Sequence, residues 1–443
     1  MKTPIYDFVN DYRKKDFSRF HMPGHKGNGF LGCEKIDITE IGGADVLYSA
    51  EGIIHESEKN ATSLFSSLHT FYSTEGSTLC IKAMLTLICK HTEGRPLILA
   101  ARNAHKAFIY AGALLDFDVQ WMYGESNSSL CSCKLTKEKV AFYIKNAPKK
   151  PNAVYITSPD YLGNIANIKG IAEICDEADI PLIVDNAHGA YLKFLKEDIH
   201  PISLGAAMCC DSAHKTLPVL TGGAYLHLSQ KAEKYLSDAR DALALHASTS
   251  PSYLILQSLD LCNAYLKNGF GEKLTDTAEK LSRLRSKLSE KGFEAEQSEP
   301  LKLVFYPLSY GYTGNELSRL LYENGIVCEF YDRDSVVIMA TAENSSVDFE
   351  RLSGFFEKLE RTEAGSPSPV FDLSSAKAAV TLRQAMLSES EYIFAKDSVG
   401  RICAEPTVSC PPAVPICVSG EIITAQIANA FAYYGFEKIK VMK

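Results

Sequence analysis

The sequence has no long apolar run and no excess of basic charge. Its apolar stretches all fall short of the roughly 20 residues that a membrane-spanning helix needs. Lysine and arginine number 46 against 54 acidic residues, for a net charge of −8, which argues against nucleic acid or an anionic membrane as a general partner. Residues 1–7 carry charge where a signal peptide would need an apolar core, so we expect no such peptide.

The sequence also lacks the matched cysteine pairs of a common zinc site. Thirteen cysteines, an odd number, are scattered along the chain. Cys131-x-Cys133 and Cys209-Cys210 have no second pair of the kind that a zinc site uses. We therefore expect no metal site, and we expect reduced, mostly buried thiols in a cytoplasmic protein.

The chain has the length and composition of a multidomain globular protein. Its 443 residues are 46% hydrophobic and 23% charged, and this length exceeds a single compact core. We predict an N-terminal arm and loop at 1–55, a large domain at 56–260, a small α+β domain at 261–365 and a C-terminal domain at 366–443. The last boundary lies in a linker rich in Gly, Ser and Pro at 363–369.

Two apolar runs lead to the acid and the amine that a pyridoxal 5′-phosphate (PLP) enzyme requires. The run 180–184 ends at Asp185, and the run 206–208 is followed closely by Lys215. Such a lysine holds the PLP aldehyde as an imine, and such a carboxylate keeps the pyridine nitrogen protonated so that the ring accepts electrons. A surface lysine and a turn-capping aspartate are the ordinary alternatives. PLP chemistry is favoured because Lys215 lies between two apolar stretches.

Strands alternate with amphipathic helices in the first half of the chain. A helix is predicted at 56–68, strands at 71–74, 96–100 and 154–157, and a loop and helix start at 102–106. Ile81, Met84, Leu85 and Ile88 share one face of a further helix. This alternation predicts a largely parallel α/β sheet whose functional loops gather past the carboxyl ends of its strands. The candidate residues that follow strands are 75–78, His105, Ser158, Asp185, His188 and Lys215.

The turn Gly76-Ser77-Thr78 opens a predicted helix. Its backbone N–H groups and hydroxyls suit an anion such as phosphate, although a Ser/Thr N-cap is the ordinary reading of an isolated motif of this kind. We expect the side chain of Glu75 to turn away, because a carboxylate repels phosphate. Further along, the sequence predicts helices at 252–290 with a break at 268–271, strands at 302–306 and 336–339, and a helix at 422–434.

Taken together, these motifs resemble the short form of the Orn/Lys/Arg decarboxylase family. The resemblance covers nearly the whole chain and is most specific at 20–27 (FHMPGHKG), 102–106 (RNAHK) and 212–218 (SAHKTLP). It implies a fold-type-I, aspartate aminotransferase-like large domain with a mostly parallel sheet, plus smaller α+β C-terminal domains. It also implies a homodimer, or an assembly of dimers, that decarboxylates arginine, lysine or ornithine for polyamine metabolism.

The resemblance assigns roles to individual residues. Lys215 would bind PLP, Asp185 would contact the ring nitrogen, His105 would stack on the ring and His188 would lie close to it. A basic substrate needs an acid for its distal group, and Glu405 and Glu421 are the candidates. The cofactor contacts implied are Gly76, Ser77, Thr78, His105, Asp185, His188, Ser212, His214 and Lys215.

The chain departs from the family pattern at several places. Asn186 and Tyr191 stand at variable positions of the usual Asp-Glu-Ala-His-Gly-Ala-His motif, and Glu75 replaces the usual Asn of the phosphate turn. The loop 409–415 and the segment 419–421 also differ. These departures concern substrate choice more than PLP chemistry.

Two other functions are compatible with the residues. One is another fold-type-I reaction, such as an aminotransferase or an aldolase, with Arg333 or Arg401 as the clamp for a substrate carboxylate. The other is a PLP-binding protein with decayed catalysis that acts by interaction or regulation, an alternative motivated by the divergent loop at 409–415.

Overall fold

The structure is a computed structural model that describes residues 1–124, 133–293, 295–296, 299–366, 368–371, 373–408 and 414–443, with backbone alone at 295, 296 and 375. Contacts divide the chain into two compact units. The first comprises Met1–Leu99, Val140–Thr157 and Asn167–Glu272, and the second Ala100–Lys139, Ser158–Ala166 and Lys273–Lys443. Within the described ranges, no helix has the length and apolar character to cross a membrane.

A seven-stranded sheet forms the centre of the α/β fold. Its strands are β1 His69–Ser73, β2 Leu97–Ala101, β3 Asp118–Met122, β4 Ala153–Thr157, β5 Leu182–Asp185, β6 Met208–Asp211 and β7 Ala224–Leu228. They lie in the order β1-β7-β6-β5-β4-β2-β3. Strands β4, β5 and β6 are parallel, whereas β7 is antiparallel to both β6 and β1. Strands β5 and β6 are buried along their whole length, as in a sheet covered on both faces.

Fourteen α-helices occur in the described residues. They are α1 Pro4–Lys14, α2 Ile53–Phe65, α3 Gly76–Lys90, α4 Lys106–Leu115, α5 Lys137–Lys145, α6 Ile168–Glu177, α7 Ala213–Thr216, α8 Ala239–Ala244, α9 Tyr253–Lys267, α10 Phe270–Glu290, α11 Gly314–Glu323, α12 Ser346–Lys358, α13 Leu382–Leu387 and α14 Ala425–Tyr433. Short 3₁₀ helices lie at Leu47–Ser49, Ala190–Phe194, Gln230–Asp238, Pro307–Tyr310, Leu373–Ser375 and Ala395–Asp397.

The remaining strands belong to the second unit. They are β8 Ala295–Glu296, β9 Lys302–Phe305, β10 Phe330–Tyr331, β11 Val336–Met339, β12 Ser390–Phe394, β13 Thr407–Val408, β14 Cys417–Val418 and β15 Lys438–Met442. An antiparallel sheet in the order β10-β11-β9-β8 packs its apolar side chains with those of α10, α11 and α12 in one core that includes Leu281, Leu317 and Phe356. A second core, with Ile427, Phe431 and Ile439, lies around α14 and β15.

The predicted elements are largely confirmed. The apolar face through Ile81 and Ile88 is buried in α3, and Asn268 and Gly269 separate α9 from α10. The helix predicted at 56–68 instead runs from Ile53 to Phe65. Its start is fixed by the carboxylate of Asp45, whose Oδ2 accepts hydrogen bonds from the backbone N of Gly52 and of Ile54, each at 2.9 Å.

The described cysteines are all reduced, and most are buried. Cys33, Cys89, Cys133 and Cys328 are partly exposed. The buried ones are Cys80, Cys175, Cys209, Cys210, Cys262, Cys403 and Cys417. Cys131 and Cys410 lie outside the described residues. For the described thiols this confirms the expected burial.

Candidate active site

Lys215 lies on a single helical turn directly after β6. That strand ends at Asp211, and α7 begins two residues later at Ala213, with a hydrogen bond from Lys215 N to Ser212 O. The side-chain Nζ of Lys215 is 3.0 Å from Nε2 of His188. Sequence motifs 27 residues apart are therefore brought together, and the imidazole is within proton-transfer distance of the amine.

Asp185 is the last residue of β5 and is almost fully buried. Its Oδ2 accepts a hydrogen bond from the hydroxyl of Tyr155 at 3.2 Å, and its Oδ1 accepts from the backbone N of Ala187 at 3.2 Å and from Cys210 Sγ at 3.7 Å. Burial, followed by the charge of Asp185, raises the pKa of both Tyr155 and Cys210 well above their ordinary values. Both groups therefore remain donors to this carboxylate.

The amino end of α3 lies beside the Lys215 turn. Gly76 adopts a φ of +69° and its N donates to Gly222 O at 2.7 Å. The hydroxyl of Ser212 donates to Ser77 Oγ at 2.7 Å. A Cβ built on Gly76 would meet only His214 Cε1, at 4.0 Å, so helix end, hydroxyls and imidazole surround one small region. Thr78 is in the first turn of the same helix.

Two side chains near this region have other partners. Glu75 is exposed, and its Oε1 accepts a hydrogen bond from Ser248 N at 2.7 Å. His214 Nδ1 lies 3.0 Å from Gly223 O, and burial, with the neighbouring charge of Lys215, lowers the pKa of this imidazole. A neutral His214 can still donate a hydrogen bond to an anion through its other nitrogen.

These residues fit PLP. A buried carboxylate and a lysine amine at the ends of neighbouring strands match the ring nitrogen and the aldehyde of the cofactor. The amino end of the 15-residue α3, together with Ser77 and Ser212, offers donors to a phosphate. All of these groups belong to the first unit.

His105 belongs to the second unit. It is the N-cap of α4, and its Nδ1 accepts a hydrogen bond from Ala107 N at 3.2 Å. The motif RNAHK thus forms the loop and helix start that the sequence predicts. The stacking of His105 on the cofactor ring stays a prediction.

Sequence reasoning missed a buried ion pair between Arg102 and Glu421. The guanidinium donates to Glu421 Oε1 at 2.5 Å and to Oε2 at 2.8 Å, and Val418 N also donates to Oε2 at 2.8 Å. Burial alone would lower the pKa of Arg102, but the carboxylate outweighs it and raises that pKa. Arg102 precedes His105 by three residues, yet its partner is 319 residues away, and spacing alone gave no signal for it.

Glu405 is half-buried and accepts fewer hydrogen bonds than Glu421. Its Oε1 accepts from Lys440 N at 3.2 Å. Burial raises the pKa of this carboxyl, partly opposed by Lys440. Residues 409–413 of the divergent loop 409–415 lie outside the described residues.

Asn186, one of the departures from the family motif, makes hydrogen bonds to the end of β6. Its Nδ2 donates to Asp211 Oδ1 at 2.6 Å, and its backbone N donates to Cys210 O. The residue after Asp185 is thereby tied to the residue before Ser212. Sequence reasoning flagged Asn186 but not its partner.

The fold and the strand-end site define an α/β protein of the PLP-dependent fold-type-I class. The chain superimposes on the lysine decarboxylase LdcF of Francisella novicida with a TM-score of 0.82, over 100% of this chain and 81% of that one, at 17% identity. A model of the Orn/Lys/Arg decarboxylase major domain matches residues 3–307, and the chain belongs to that family. The predicted fold class and family are confirmed, and membership makes the chain a decarboxylase of the PLP-dependent type.

Relatives cover nearly the whole chain. An arginine decarboxylase of Bacillus subtilis is 28% identical over 96% of this chain and 92% of its own length. The uncharacterized protein YaaO of the same organism is 28% identical over 96% of this chain and 93% of its own length.

Proposed function

We propose that the chain converts a basic amino acid, arginine, lysine or ornithine, to the corresponding amine and carbon dioxide. The observation that carries the proposal is the pairing of the Lys215 amine with His188, one strand away from the buried Asp185. Relatives named for arginine and lysine decarboxylation support a basic substrate. We further propose a cytoplasmic homodimer, or an assembly of dimers, that serves polyamine metabolism.

In this proposal PLP is bound by the nine predicted residues: Gly76, Ser77, Thr78, His105, Asp185, His188, Ser212, His214 and Lys215. When bound, the cofactor supplies an electron sink for the pair released as the bond between Cα and the carboxylate breaks. Asp185, held by Tyr155 and Ala187 N, keeps a proton on the pyridine nitrogen. His188 holds or accepts a proton at the Lys215 amine, and Lys215 or His105 returns one to the substrate Cα.

The distal amine or guanidinium of the substrate needs an acidic partner, and we propose Glu405 and Glu421 for this role. Glu421 already binds Arg102 through both oxygens, so it would have to exchange one cation for another. The side chain of Glu405 accepts a hydrogen bond from Lys440 N and is only half-buried. Of the two candidates, Glu405 is therefore the more available.

The aminotransferase alternative needs an arginine clamp. Arg401 donates to Glu391 at 2.8 Å and to Met442 O at 2.6 Å. The guanidinium of Arg333 lies 4.9 Å from the ring centroid of Tyr433. Both arginines have structural contacts of their own, and the alternative is best tested by its product.

The test is to incubate the PLP-loaded protein with arginine, lysine, ornithine and a mixed amino-acid pool, and to identify products by mass spectrometry. Agmatine, cadaverine or putrescine together with carbon dioxide is the expected result and names the substrate. A keto acid without an amine would replace the proposal with an aminotransferase. No product from a PLP-loaded protein would support decayed catalysis.

A further inference from the structure

A fully buried cluster of metal-ligating side chains lies on β6, β7 and the turn before β6. Cys209 and Asp211 are two residues apart on β6, so their side chains share a face of the strand. His227 is the direct cross-strand partner of Cys209, and His200 reaches the same face. One ligand atom from each of the four lies within 4.8 Å of all the others, and all four side chains belong to the first unit.

The carboxylate of Asp211 is the centre of the cluster. Its Oδ2 lies 3.0 Å from Nε2 of His200 and 3.1 Å from Nε2 of His227. Its other oxygen, Oδ1, accepts the hydrogen bond from Asn186. Two imidazole nitrogens, one carboxylate oxygen and one sulfur therefore converge from three segments of chain in a place that water does not reach.

We propose that His200, Cys209, Asp211 and His227 form a structural binding site for a divalent transition metal, with Zn²⁺ as the best match. Zinc takes four tetrahedral ligands from nitrogen, sulfur and carboxylate oxygen, and a structural site has no open position. A thiolate and a carboxylate together neutralise the charge of the ion, so the buried complex carries no net charge.

Metal binding requires a defined exchange of protons. Cys209 loses its thiol proton to solvent as the bond between sulfur and metal forms. Each neutral histidine carries its ring proton on Nδ1 so that Nε2 can bind the metal, and Oδ2 of Asp211 exchanges its two hydrogen bonds for the metal. Nδ1 of His227 is 2.8 Å from Thr70 Oγ1, which can accept a hydrogen bond from that N–H. Nδ1 of His200 gives up only a long, 3.4 Å hydrogen bond from Ile202 N.

The hydrogen bond from Asn186 to Asp211 survives this exchange, because it uses the other carboxylate oxygen. Outer partners of this kind orient metal ligands. The metal would therefore join β6 to β7 and to the turn at His200, and it would fix the strand from which the Lys215 turn departs. This role does not depend on which reaction the chain catalyses.

A second group of side chains that could bind a metal consists of His55, Glu58 and His69. Its carboxylate is already bound by Arg240, whose NH2 is 2.6 Å from Glu58 Oε2. A cation in that position opposes a metal ion, so we propose no site there. The group provides a control instead.

The test measures metal in untagged, PLP-loaded protein from cells grown with added zinc. Elemental analysis after desalting should find about one zinc per chain. Cys209→Ser and His227→Gln should each lower the retained zinc by roughly tenfold or more, because each removes one of four ligands. Cys210→Ser, whose sulfur faces Asp185 instead, and His69→Gln should retain the wild-type content.

Cobalt substitution gives a second readout. Co²⁺-loaded wild-type protein should show a thiolate-to-cobalt charge-transfer band and visible d–d bands, and Cys209→Ser should lack the charge-transfer band. If His227→Gln does not fold, Cys209→Ser carries the test because serine keeps the size of cysteine. Zinc far below one equivalent in the wild type, or equal zinc in the wild type and the ligand variants, would overturn the proposal.

Discussion

Lys215 is the residue on which the proposed chemistry depends most directly. Borohydride reduction of the PLP-loaded wild type should leave the cofactor covalently attached to the peptide that contains Lys215. Lys215→Ala should lose this attachment, and its decarboxylase activity should fall to background. Lys231→Ala, which removes an exposed lysine paired with Asp176, is the control and should keep both. A reducible adduct that persists in Lys215→Ala would refute the assignment, and the readout is peptide mass spectrometry.

A variant of Glu421 measures how much the buried ion pair between Arg102 and Glu421 stabilises the second unit. Glu421→Gln leaves Arg102 buried without its counter-charge, and removal of one partner of such a pair costs about 3–5 kcal/mol. Denaturant unfolding should show this loss. Glu391→Gln removes a partly exposed pair with Arg401 and should change stability by about 1 kcal/mol or less. Equal effects of the two variants would contradict the structural role.

Glu405 is the more available of the two proposed partners for the distal cation of the substrate. If its carboxylate receives the distal cation of the substrate, Glu405→Gln should raise the KM for arginine, lysine or ornithine about tenfold or more while the PLP absorbance stays unchanged. Steady-state kinetics with each substrate measures the effect. Unchanged kinetics would remove Glu405 from the substrate site.

At the scale of elements, α3 depends on the backbone of its first residue. Gly76→Ala places a Cβ on a residue with φ +69°, which costs roughly 1–2 kcal/mol although the space is open. The strain should also turn the first N–H groups of α3 and weaken PLP binding. Gly354→Ala in the middle of α12 also meets open space and should be neutral or stabilising by about 1 kcal/mol. Melting temperatures and PLP titrations of both variants test the contrast.

Elements whose signals are local could be predicted from the sequence, and those fixed from a distance could not. The face of α3 and the break at Asn268 and Gly269 follow from periodicity and glycine. The start of α2 was predicted three residues late, because Asp45 caps it from a loop.

The same limit applies to the site. Lys215 and Asp185 stand out because each follows an apolar run. The pairs Arg102 with Glu421 and Asn186 with Asp211 depend on chain segments that only the fold brings together. The four residues of the proposed metal site share no spacing motif, so a search of the sequence for a second cysteine pair could not find them.

At the scale of the whole molecule, a buried carboxylate ties stability to pH. Asp260 on α9 accepts hydrogen bonds from Ile5 N at 2.9 Å, from Tyr6 N at 3.0 Å and from Ser57 Oγ at 2.5 Å. Burial, only partly offset by these donors, raises the pKa of this carboxyl to about 6. Because the folded-state pKa exceeds the unfolded one, the contribution of Asp260 is fully present below about pH 4 and is lost as the pH rises through about 6.

Asp260→Asn should remove this dependence while keeping the contacts to α1 and α2, since its amide can accept from the backbone and donate to Ser57. The stability of the wild type relative to this variant should fall by about 3 kcal/mol between pH 4 and pH 7. Thermal midpoints of both proteins across that range measure the difference. Asp241→Asn, on the exposed side of α8, serves as the control. Parallel curves for wild type and Asp260→Asn would contradict the prediction.

The buried thiols have a practical consequence. Burial raises the pKa of Cys80, and a hydrogen bond with Cys403 together with burial raises the pKa of Cys417. Neither sulfur therefore reacts with an alkylating reagent until its surroundings open. Cys80 and Cys262 lie in the first unit, and Cys403 and Cys417 lie in the second. A pulse of reagent followed by peptide mapping therefore times the opening of each unit in one sample. The order in which the peptides become labelled ranks the two units by the free energy of their local unfolding.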